Sequence, residues 1–124
     1  MEINVYYDIA KYLHVKLDRE KALEFIDSII SKHGITRDLE ETRRIIENFD
    51  EFYSIARRKS DGYLIIQKDS GDVVRGRVVV HKIRLIIEGN VKTVELIIDR
   101  RVSRELIESC LREIGFSKIN YVEE

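Results

Sequence analysis

The dipeptide Gly89-Asn90 constrains this chain more than any other pair of residues. Both residues accept positive φ and suit the tight primed turns that join twisted antiparallel strands. With those two as the loop, Glu88 faces Val91, Arg84 faces Glu95, Ile83 faces Leu96 and His81 faces Ile98. Side chains alternate across a strand. One face therefore collects Ile83, Leu85, Ile87, Val94, Leu96 and Ile98, and His81 falls on it. The opposite, outer face holds Lys82, Arg84, Ile86, Thr93, Glu95 and Asp99, with Val80 and Ile97 mixed among the charges. A one-residue slip would turn the aliphatic set to solvent, so the register is well specified. Upstream, Val74, Val78 and Val80 have the parity opposite to Ile83 and Leu85, which predicts a β-bulge or bend between Val80 and Lys82.

The remaining elements follow from periodicity and caps. Leu23, Ile26, Ile29 and Ile30 predict a helix over 19–33, N-capped by Asp18 and closed by Gly34. A second helix runs from Asp38 to about Arg58–Lys59, with the stripe Leu39, Ile45, Ile46, Phe49, Phe52, Tyr53 and Ala56. Residues 63–68 read as a strand, and Asp69-Ser70-Gly71-Asp72 turns it into the long strand that starts at Val73. Ser103 N-caps a helix over 103–114, and residues 116–122 form a short closing strand. In the first segment Ile3, Val5, Tyr7 and Ile9 alternate as in a strand, while Val5, Ile9, Tyr12 and Leu13 fit a helix. The helix formers Ala10, Lys11 and Leu13 favour a helix over 4–15.

These elements specify an α+β fold in one domain, 1–124: a two-layer antiparallel sheet of four or so strands with helices packed on one face. Residues 1–59 are mainly helical, 62–99 form antiparallel hairpins, and the strand–strand–helix–strand order of the C-terminal half (ββαβ) is similar to half of a ferredoxin-like domain. That topology hosts many functions and fixes none. The segment Ile9–Val15 followed by the helix from Asp18 resembles the first helix and turn of helix-turn-helix proteins, which implies a DNA reader. It departs from that pattern with His14 at the usual turn glycine and Glu20 at an apolar position. Asp18, Glu20, Glu24 and Asp27 on the second helix would repel phosphates.

A chain of 124 residues is long enough for one sizeable core. No apolar run reaches the ~20 residues of a membrane span, and the polar start lacks the plan of a signal peptide, so no membrane partner is expected. A single cysteine excludes an internal disulfide framework and suits a reducing, cytoplasmic setting. Abundant Ile, Glu, Arg and Lys with no Pro lean towards a thermophile's composition. His14, His33 and His81 are scattered, without the spacing of a zinc site, and Cys110 lies in the apolar stripe of its helix. No phosphate-binding glycine loop is present. These residues give no reason to expect a metal, a cofactor or a catalytic centre.

Charge is the remaining signal. The net charge is −1, but residues 57–104 carry 12 basic and 6 acidic side chains, while the segments on either side are acidic. The cluster comprises Arg57, Arg58, Lys59, Arg75, Arg77, Lys82, Arg84, Arg100, Arg101 and Arg104. Arginine outnumbers lysine, as suits bidentate contact with phosphates, and Tyr63 offers a stacking face nearby. Within the hairpin Arg84 pairs with Glu95, and Lys82 reaches Asp99 diagonally. The expectation is a small non-enzymatic module that holds an anionic partner, nucleic acid foremost, on this Arg-rich surface. The alternative is a self-associating or protein-binding module, because apolar residues on the outer sheet face would invite a partner.

Overall fold

The computed structural model describes all residues, 1–124. Its elements run β1 (Glu2–Tyr7), β2 (Leu13–Asp18), α1 (Arg19–His33), α2 (Arg37–Glu47), α3 (Phe49–Ala56), β3 (Tyr63–Ile65), α4 (Ser70–Val74), β4 (Val80–Glu88), β5 (Val91–Ile98), α5 (Arg104–Glu113) and β6 (Lys118–Glu123). The strands form one six-stranded sheet in the order β3-β4-β5-β2-β1-β6. The class is α+β with helices on one face, as expected. The sheet has six strands rather than four, and it is mixed, because β6 runs parallel to β1. Residues 1–59 are not mainly helical throughout, since their first 18 residues supply two strands.

The β4–β5 hairpin keeps the register fixed by Gly89-Asn90: Glu88 with Val91, Arg84 with Glu95, and Ile83 with Leu96. The predicted bulge lies between Val80 and Lys82. Val80, not His81, therefore pairs with Ile98, and His81 leaves the ladder. With the shift Val80 points into the core, where Ile83, Leu85, Val94, Leu96 and Ile98 join it. Ile87, near the turn, is 38% exposed. The strand does not extend back to Val73: residues 70–74 are one helical turn capped by Asp69, whose carboxylate accepts from the Asp72 N–H.

The N-terminal helix over 4–15 does not form, and with it the helix-turn-helix resemblance falls away. Ile3, Val5, Leu13, Val15 and Leu17 alternate and are all buried, so period two wins over the helix propensity of Ala10 and Lys11. Asp8 makes the connecting turn. Its Oδ1 accepts from the N–H groups of Ala10 (2.9 Å) and Tyr12 (3.1 Å), while Lys11 takes φ 71°. The helix expected over 38–59 is two helices, broken at Asn48. There Arg19 donates to the carbonyls of Ile46 and Glu47 and so satisfies the end of α2.

One core of 28 buried residues joins the inner sheet face to the helices. Cys110 is fully buried within it, and burial pushes its thiol up. The bulge is pinned by a charged group in this dry layer. Asp38, fully buried in the first turn of α2, accepts from the N–H groups of Val79 (2.8 Å) and Val80 (2.9 Å) through Oδ2. From the other side Lys68 Nζ donates to the carbonyls of Ile66 (2.9 Å) and His81 (3.0 Å). Asp38→Ala should cost about 2–5 kcal/mol in chemical denaturation, since it orphans two buried N–H groups. Asp38→Asn, which keeps an acceptor oxygen, should cost clearly less; equal losses would show that the acceptor is not what holds the bulge.

Candidate nucleic-acid interface

Two surfaces bring charged residues together, and the topology explains both. At one end of the sheet β4 begins, β5 ends and β3 runs out. The loops there, residues 66–79 and 99–103, carry Arg75, Arg77, Arg100 and Arg101, and Arg104 opens α5 beside them. Arg75 and Arg100 have no carboxylate within ion-pair distance. Arg101 holds the two loops together, with Nε 3.2 Å from Asp99 Oδ1 and NH1 donating to the Val73 carbonyl at 3.2 Å. Arg77 is committed to the fold. Its guanidinium donates to the His33 carbonyl (2.8 Å), and the His33 ring returns a bond to the Arg77 carbonyl (2.8 Å). Arg104 lies over the rings of Tyr121 (4.3 Å) and Tyr7 (5.5 Å). Exposed apolar residues share this end: Val74 is 86% and Ile9 99% exposed.

The second surface is the sheet face away from the helices. A side-chain network crosses it from β1 to β3. Asp8 Oδ2 meets His14 Nε2 at 2.8 Å, and because a carboxylate only accepts, Nε2 carries the proton. Burial alone would raise the Asp8 carboxyl, but the His14 ring and the turn N–H groups hold it below its usual range. His14 Nδ1 faces Glu95 Oε2 at 3.6 Å. Glu95, only 7% exposed, then takes the Tyr63 hydroxyl (2.9 Å) and pairs with Arg84 Nε (3.0 Å). The Arg84–Glu95 pair was legible from the hairpin register. Lys82 does not reach Asp99; it sits over the Tyr63 ring at 4.4 Å, with Arg84 at 5.5 Å. Ile97, in register with Lys82 and His14, is 1% exposed although no helix covers it, so the outer face shields it with side chains alone.

His81, displaced by the bulge, stacks on Tyr12 with ring centroids 5.1 Å apart. By strand alternation Tyr12 shares the face of His14. Burial, then the neighbouring Lys68 and Lys82, hold the His81 ring neutral below its usual value. Arg57 and Lys59, beyond α3, do not join the arginine end. With Arg84, Tyr53 and Asp61 they line a cleft of about 350 Å³ at the β3 edge. Arg58 lies beside them and makes no ion pair. A second concavity of about 310 Å³ on the open face is lined by Tyr6, His14, Lys16, Arg84 and Glu95, with Glu123 and Glu124 closing its far side.

Of the ten basic residues singled out from sequence, five thus share one end of the sheet, two lie on the open face and three flank the β3 edge. Asp8, His14, Tyr12 and Tyr6 were missed, because they become neighbours only once residues 2–18 form a hairpin. The chain matches no protein-family model, no curated protein and no solved structure. No helix is long and apolar enough to cross a membrane.

Tyr63 reports on the network directly. Burial and the bond to Glu95 push its phenol up to about 12. The folded protein then holds a proton that the unfolded chain loses near pH 10, so stability present below pH 10 falls away between about 10 and 12. In an absorbance titration two of the six tyrosines, Tyr63 and Tyr121, should ionise late because burial raises both, and Tyr63→Phe should remove one of the two. A late amplitude unchanged in Tyr63→Phe would contradict the assignment.

Proposed function

We propose that this chain is a binding module that holds nucleic acid by its phosphates at the arginine-rich end of the sheet. The observation that carries this reading is the gathering of Arg75, Arg77, Arg100, Arg101 and Arg104 at one end of a chain whose net charge is −1. Their fields add locally whatever the total charge. Arg75 and Arg100 stand free for a ligand, whereas Arg77 is anchored through the His33 carbonyl and Arg101 through the Val73 carbonyl and an ion pair with Asp99. Planar guanidinium groups suit bidentate contact with phosphate. Sequence preference should be weak, because contacts to phosphate set register and orientation without reading bases.

Self-association is the second reading. It is supported by β6, an edge strand of six residues without proline or bulge, whose outer backbone groups are open to pairing.

Each phosphate neutralised releases counterions, so log affinity should fall with log salt at a slope near −0.9 per contact on duplex or about −0.7 on single strands. Replacing Arg75 and Arg100 together by Ala should shallow the slope by about one to two units and leave the melting temperature nearly unchanged, since neither makes an ion pair. The check is a titration with duplex DNA, single-stranded DNA and RNA at several salt concentrations. No binding to any of them at low salt would contradict the proposal and leave self-association through β6 as the better account.

A further inference from the structure

We infer that the nucleic acid is single-stranded, and that its bases lie on the helix-free face of the sheet along β3 and β4. This rests on the phosphate-binding reading above and names the class of ligand. The first observation is the placement of rings. Tyr12 stacked on His81 marks the point where the open face meets the arginine end. Tyr63, opposite Arg84 in the ladder, lies further along the same two strands, with Lys82 between. Aromatic faces accept any base, and cations beside them meet the backbone that follows. An unpaired strand can splay its bases onto a flat surface in this way, whereas a duplex keeps them stacked inside.

The second observation is the distribution of carboxylates. On the β3–β4 side Glu95 is buried and already engaged by Arg84 and the Tyr63 hydroxyl, Asp99 is paired with Arg101, and Asp61 lines the cleft beside Arg57 and Lys59. The β1–β6 side carries Glu2, while Glu123 and Glu124 line the far side of the concavity that Arg84 shares and repel phosphate there. A polyanion leaving Arg100 finds cations without an ion pair on the β3–β4 side, namely Lys82, Arg57 and Lys59. It passes Lys82 and Arg84 and reaches the cleft with Arg57 and Lys59, to which Arg84 also belongs. This course joins basic residues that the fold otherwise leaves in separate groups. A base that takes the Tyr63 ring frees the Lys82 ammonium, now 4.4 Å above it, for the adjoining phosphate. The neutral His81 ring stacks without adding a charge that would need its own partner.

The test compares a short oligothymidylate with a duplex of equal length, on the full chain and on Tyr12→Leu, Tyr63→Leu and Tyr63→Phe. Oligothymidylate should bind more tightly than duplex. Each Leu variant should lose at least about fivefold in affinity for it, and Tyr63→Phe, which keeps the ring, should lose little. The chain has no tryptophan, so its tyrosine emission is readable and should be quenched by oligothymidylate in the unaltered protein, whatever the folding of the variants. Equal binding of both probes, with no quenching and no effect of the Leu variants, would overturn this inference while leaving the phosphate-binding reading intact. Binding of neither probe at low salt would overturn both.

Discussion

The arrangement of the candidate interface depends on one buried carboxylate. Asp38 lies in the apolar layer between α2 and the start of β4 and accepts the Val79 and Val80 N–H groups through a single oxygen. That contact permits the bulge, and the bulge lets Val78, Val79 and Val80 be buried despite their mixed parity. It also ejects His81 from the ladder, onto Tyr12. The exposed pairs Arg43–Asp27, Arg44–Glu41 and Arg112–Glu108 contribute little, because water screens them. An acceptor serving two N–H groups in a dry layer counts for more than any of these, since removing it leaves both unsatisfied in a medium that cannot replace it.

The open face has a different logic. A helix-free sheet face is usually solvated and alternates cleanly with the core face. Here it carries a carboxylate that is nearly as buried as a core residue, and a charge so placed must be matched by polar neighbours on several sides. Glu95 obtains them from Arg84 and Tyr63, which come from two neighbouring strands. These bonds therefore fix the side chains of β3, β4 and β5 relative to one another. A rigid platform of this kind loses little conformational entropy when a ligand settles on it.

How much of this was legible in the sequence varies with the range of the interaction. The β4–β5 register, its bulge and the Arg84–Glu95 pair follow from a two-residue turn and parity, both local. The caps at Asp18 and Ser103 were equally visible. The N-terminal hairpin was not, because its turn has neither glycine nor proline and rests on Asp8 with Lys11 at positive φ. The alternation of Ile3, Val5, Tyr7 and Ile9 was the signal, outweighed by nearby helix formers. Missing that hairpin hid His14 and Tyr12 from the interface altogether. The break at Asn48 was also invisible: the apolar stripe continues across it, and Arg19, far away in sequence, completes the helix end. Convergence of Arg75 with Arg100 depends on strand order, which no local pattern encodes.

The central claim is that a single strand lies on one particular face and one particular end of the molecule. Mapping amide chemical shifts on addition of oligothymidylate tests it most directly. The account predicts shifts at Tyr12, Tyr63, His81, Lys82 and Arg84 and in the loop around Arg100, with the outer surfaces of α1 and α2 unmoved. Shifts concentrated on the helix layer, with the open face and the arginine end silent, would contradict it.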